Sequence, residues 1–163
     1  MRVPKAGGAA MIAAESAGIS VMQAGNFVYF EGDSGLKRIP QAGGAPQDVL
    51  SLSQLTGIAA NERDVCVIAA PPSGTPISLQ CFPVAGGPPV ILASVSNSYS
   101  PLAVYKRFAY WRDGTMLMRR AIDGTGPTQM VNTQFNADSM AVTDTAVYFV
   151  SANELLRIAN LRE

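Results

Sequence analysis

A seven-residue phrase returns through this chain at nearly constant spacing, and that recurrence constrains the fold more than any single residue does. "RVPKAGG" begins at Arg2, "RIPQAGG" at Arg38, "CFPVAGG" at Cys81, "RRAIDGT" at Arg119 and "RIANLRE" at Arg157, giving intervals of 36, 43, 38 and 38 residues. The long interval holds an extra loop, "PPSGTP". A β-rich segment precedes each of the last four copies: "VYF" at Val28, "VCV" at Val65, "AYW" at Ala109 and "VYF" at Val147. Seven residues before each of these segments another apolar residue opens a short run, at Val21, Ile58, Leu102 and Met140. After the glycine turns come "MIAA", "DVLS", "VILA" and "QMVN".

Each period therefore holds four short strands separated by Gly, Pro, Asn or Asp turn signals, with no helical period between them. This predicts an all-β β-propeller of about four blades, each of four antiparallel strands. A sandwich is the main rival but has less reason to repeat; helical arrays need helices that this Gly- and Pro-rich chain does not offer. The copies divide the chain into third and fourth strands of a blade (1–16), three full blades (17–53, 54–96 and 97–133), and first to third strands (134–163). Five third strands for four blades leave two arrangements. Either the chain ends pair to close a ring, or the chain is an open arc of a longer propeller whose exposed edges promote self-association.

Register follows from the same spacing. In a hairpin with a two-residue turn, opposed residues are equidistant from the turn. Tyr29 with Arg38 centres the turn on Asp33 and Ser34, Tyr110 with Arg119 on Gly114 and Thr115, and Tyr148 with Arg157 on Ala152 and Asn153. Three blades thus pair a Tyr with an Arg across adjacent strands, where the guanidinium can lie against the ring and stiffen the sheet. In the remaining blade both slots change together, to Cys66 and Cys81, centring the hairpin on Ser73 and Gly74. Two readings stand for that pair: a disulfide in an oxidising compartment, or two reduced half-buried thiols.

Composition removes several functions. At 163 residues, with 48% hydrophobic and 15% charged content, the chain can bury a core. Twelve basic and twelve acidic residues cancel, so nucleic acid is not an expected partner. No apolar run exceeds six residues, the length of Val65 to Ala70, which is far too short to span a bilayer as a helix. There is no histidine, which removes the usual triad base and the commonest metal ligand. The "AGG" turns lack the following helix that a phosphate loop needs, so their glycines are read as supplying positive φ. Asp33, Asp64, Asp113, Asp123, Asp138 and Asp144 fall in or near turns, where Asp serves local backbone bonding. No calcium-loop spacing occurs, and no catalytic residue, cofactor or metal site is expected. Val28, Phe30, Val65, Val67, Ala109, Trp111, Val147 and Phe149 are expected to form the core between blades.

From Tyr110 through the "DG" turn at Asp123, "AYWRDGTMLMRRAIDG" resembles the YWTD repeat of low-density-lipoprotein-receptor-type propellers. "VYFEGDSGLKRIPQAGG" and "VYFVSANELLRIAN" look like the degenerate relatives of that repeat in bacterial envelope and secreted proteins. The resemblance implies a non-catalytic module, binding a protein or glycan or acting as a scaffold, in an extracytoplasmic setting. YWTD propellers have six blades where this chain has about four periods, and the signature survives once, as "YWRD", so a receptor-like surface does not carry over. The alternative is part of a propeller enzyme, a hydrolase or lyase, whose active site includes further blades.

Overall fold

The computed structural model describes residues 20–71, 76–96 and 100–159. The described residues are all β, in four antiparallel sheets whose strands follow one another in chain order. The first sheet comprises β1 (Val21–Ala24), β2 (Phe27–Gly32), β3 (Gly35–Pro40) and β4 (Gln47–Ser51). The second comprises β5 (Gln54–Ala60), β6 (Asp64–Ala70), β7 (Ser78–Pro83) and β8 (Val90–Ser94). The third comprises β9 (Leu102–Tyr105), β10 (Phe108–Asp113), β11 (Met116–Ala121) and β12 (Gln129–Asn132). The fourth has three strands, β13 (Ser139–Val142), β14 (Ala146–Ser151) and β15 (Glu154–Ala159).

The opening strands of successive sheets touch, β1 with β5, β5 with β9 and β9 with β13, so they form the inner edge of a radial array. No comparable contact joins β13 to β1 among the described residues, which form an open arc. Pairing of the chain ends and the strands expected over 1–16 lie outside the described residues, as do Ser73 and Gly74.

Hairpin chemistry sets the register. Gly32 pairs with Gly35 around Asp33 and Ser34, Asp113 with Met116 around Gly114 and Thr115, and Ser151 with Glu154 around Ala152 and Asn153. Ala152 and Asn153 have φ of 50° and 68°, the left-handed pair that lets a two-residue turn follow the strand twist. A register shift recurs between third and fourth strands at Leu36/Lys37, Leu79/Gln80 and Leu117/Met118, the same place in each repeat. Such a bulge bends the outer strand and raises the local twist.

Alternation along the second strands divides the side chains between two seams. Tyr29 with Val65, Val67, Ala69 and Phe82 fills the first seam; Cys66, Ile68 and Cys81 with Ala109 and Trp111 fill the second; Tyr110 with Val147 and Phe149 fills the third. Six of the eight residues expected in the core lie in these clusters. Phe30 is buried and Val28 half-buried on the other face of β2, outside all three. The third-strand leucines Leu36, Leu79 and Leu117 are each buried by the next sheet, whereas their equivalent Leu155 is 73% exposed on the last one.

Tyr29 is fully buried beside Phe82, and its phenol Oη has no hydrogen-bond partner. A buried hydroxyl without a partner carries a desolvation cost that phenylalanine removes. Tyr29→Phe is therefore expected to leave the urea midpoint unchanged or raise stability by about 1 kcal/mol, whereas a hydroxyl that supports the fold would make it fall.

Candidate functional site

Where the opening strands converge, a hollow of about 430 Å³ forms between the second, third and fourth sheets. Its lining takes Thr56, Gly57 and Ile58 from β5, Ser100, Pro101 and Leu102 at β9, Asp138, Ser139 and Met140 at β13, and Arg112 from β10. Ile58, Leu102 and Met140 are the same repeat position in three consecutive blades, so the repeat itself supplies an apolar ring. Val21, the fourth such residue, is 65% exposed.

Two of the hydroxyls serve the scaffold. Ser100 Oγ donates to the Arg112 carbonyl, and Thr56 Oγ1 donates to the Ile68 carbonyl at 3.1 Å, beside the register shift between Leu55 and Gly57. Arg112 replaces Glu31, Ile68 and Val150 of the other blades. Its Nη1 donates to the Ala137 carbonyl at 2.8 Å and to Asn136 Oδ1 at 3.4 Å, fixing the guanidinium across the approach to β13. Asp138 and Ser139 are exposed on the facing wall. The hollow thus offers one cation, one carboxylate and a hydroxyl around an apolar floor, a composition suited to binding. Among the described residues, no group of three His, Cys, Asp or Glu side chains is placed to hold a metal ion.

The paired residues read from the repeat lie elsewhere. Tyr29 stands opposite Arg38, Tyr110 opposite Arg119, and Tyr148 opposite Arg157, on the face each blade turns toward its successor. In two of the three pairs the guanidinium contact differs from the expected one. Arg38 Cζ lies 4.2 Å from the centre of the Phe27 ring and Arg119 Cζ 4.9 Å from that of Phe108, while Arg157 lies 5.9 Å from Tyr148. The cause is space: Tyr29 and Tyr110 are buried in the seam, so the long side chain runs diagonally to the ring two residues earlier on the same face. In the fourth blade that earlier residue is Ala146, leaving Tyr148 as the available ring. Arg38 Nε and Arg119 Nε each donate to a fourth-strand glutamine, Gln47 at 3.0 Å and Gln129 at 2.8 Å.

Cys66 and Cys81 oppose one another across β6 and β7 and form a disulfide, S–S 2.02 Å, buried in the second seam. Of the turn carboxylates, Asp123 accepts from the Thr125 hydroxyl and amide, which hold its pKa below the usual value. Asp144 is likewise lowered, by Lys106 at 2.6 Å and then Tyr105. Burial raises Asp64, opposed by Asn61 and Arg63.

Sequence reasoning missed the axial ring and Arg112. The signal was present in the apolar residue that recurs seven positions before each second strand, together with a charge at the Arg112 position in only two blades.

No helix among the described residues is long and apolar enough to cross a membrane. No protein-family model and no curated protein matches the sequence. Among solved structures, a chain of a nidogen/laminin complex is similar with TM-score 0.48 and 12% identity, over 83% of this chain and 74% of that one. Myxococcus xanthus glutaminyl cyclase is similar with TM-score 0.50 and 16% identity, over 85% of this chain. This chain spans 64% of that chain's length. At such identity the likeness carries the fold and no activity, and together with the four radial sheets it identifies the chain as a β-propeller.

Proposed function

We propose that this chain is a non-catalytic binding module that engages a protein or glycan partner at the axial hollow, in an extracytoplasmic setting. The observation that carries the reading is the convergence of Ile58, Leu102 and Met140 with Arg112, Asp138 and Ser139 around one opening. Apolar surface supplies the affinity and a few fixed polar groups the orientation. Among the described residues Asp138 is the single carboxylate of that lining, so the polar groups there favour holding a partner by a few directed contacts. The buried Cys66–Cys81 disulfide supports the oxidising compartment.

Screening a displayed random-peptide library and a glycan array supplies binders of unspecified origin. Met140→Asp, which places a charge in the apolar ring, is expected to weaken the axial binders by about tenfold or more. Asp48→Asn, a substitution of an exposed residue paired with Lys37, should leave them unchanged. Binders that hold equally well to a folded Met140→Asp protein would overturn the axial assignment.

A further inference from the structure

The blade seams carry a second feature that is independent of the axial hollow. Blades one and three fill the face turned toward the next blade with the same four side chains: Phe27, Tyr29, Arg38 and Gln47 in one, Phe108, Tyr110, Arg119 and Gln129 in the other. Blade two replaces all four, with Asp64, Cys66, Cys81 and Val90. The consequence is volume. Around Phe108, Tyr110 and Arg119 the third seam leaves about 20 Å³ and beside Arg38 and Phe82 the first leaves about 170 Å³, whereas around Asp64, Cys81 and Val90 the second seam opens a cleft of about 300 Å³.

The protein itself shows what fits such a slot. In the first seam Arg38 stacks on Phe27 and extends Nη1 to the Val84 carbonyl of the next blade, 3.1 Å away. Ile122 is the equivalent of Val84: the Val84 amide donates to the Arg63 carbonyl at 2.7 Å, and the Ile122 amide to the Arg107 carbonyl at 2.9 Å. Ile122 lines the open cleft, as do Asp64 and Asp123, with Arg107 at the rim lying over Phe108 at 5.0 Å. The counterpart of Arg38 is absent here, Arg120 of blade three turning instead to the Leu92 and Gly124 carbonyls; two carboxylates line the wall with Arg107, and the apolar floor of Cys81, Val90 and Ile122 suits an aliphatic stem.

We infer that the cleft between the second and third blades receives an arginine side chain of a partner peptide, its guanidinium taking the place that Arg38 holds one seam earlier. Burial raises Asp64 from its ordinary pKa, and an arriving cation offsets that cost.

The test titrates the intact protein with the blocked tripeptide acetyl-Gly-Arg-Gly-amide and its neutral citrulline counterpart, followed by amide chemical shifts. The arginine peptide should give saturable shifts at Asp64, Val90, Ile122 and Asp123, with the citrulline peptide about tenfold weaker. Asp64→Asn should weaken the arginine peptide about tenfold, and Val90→Lys, which puts a competing cation into the slot without removing either carboxylate, about fivefold. Met140→Asp should leave this titration unchanged, so failure here is distinguishable from failure of the axial site. Absence of saturable shifts in the cleft, equal affinity for the two peptides, or unaltered binding to folded Asp64→Asn and Val90→Lys would each overturn the inference.

Discussion

Trp111→Ala is expected to lower unfolding stability by about 4 kcal/mol, the largest effect of any single substitution considered. Trp111 is the only tryptophan and is 1% exposed. It projects from β10 into the second seam among Ile68, Leu79, Leu92, Val95 and Ile122, so its removal leaves a void that two sheets must close. A loss of this size is a large share of typical domain stability. The indole Nε1 is buried without a hydrogen-bond partner. Trp111→Phe therefore loses volume but also removes an unmatched donor, and should cost about 1 to 2 kcal/mol. Because either change removes the fluorescent reporter, unfolding is read by far-ultraviolet circular dichroism in urea. Equal losses for Ala and Phe would assign the tryptophan's contribution to something other than its volume.

The architecture was legible because a propeller blade has to solve the same local problem each time. Turn residues, strand alternation and the spacing of Tyr29 from Arg38 all act within one hairpin, and local rules transfer directly from sequence to register. The side-chain contacts were less legible. Arg38 and Arg119 bypass their opposed tyrosines because those rings are committed to the adjacent sheet, and nothing within one hairpin reports how the next sheet packs.

The candidate sites were hidden for a related reason. Ile58, Leu102 and Met140 read as ordinary strand residues until three sheets meet, and only then do they surround one hollow. The cleft of the second seam was half visible, in the joint change of the Tyr and Arg slots to Cys66 and Cys81. The accompanying changes at Asp64 and Val90 acquire meaning only beside Phe27, Phe108, Gln47 and Gln129 in the folded register. The repeat pattern carried the fold, since that depends on strand spacing; it did not carry a ligand, which depends on a few side chains that differ from blade to blade.

Replacing both Cys66 and Cys81 by Ala is expected to lower stability by about 3 kcal/mol from chain entropy, given the sequence separation of 15. Both sulfurs are buried in the same cluster as Trp111, so vacating them adds a packing loss of about 1 kcal/mol. In guanidinium titrations the midpoint should fall and the slope rise, because the unbridged unfolded chain exposes more surface. Reduced wild-type protein should resemble the Ala variant apart from the packing loss. If oxidised wild type and Cys66→Ala/Cys81→Ala unfold at the same midpoint, the bridge does not restrain the unfolded chain. Since the disulfide and Trp111 meet in one seam, Trp111→Phe combined with the double Ala change should deviate from additivity by about 0.5 kcal/mol or more. A strictly additive cycle would mean that β6, β7 and β10 relax independently, contrary to a single packed core between the second and third blades.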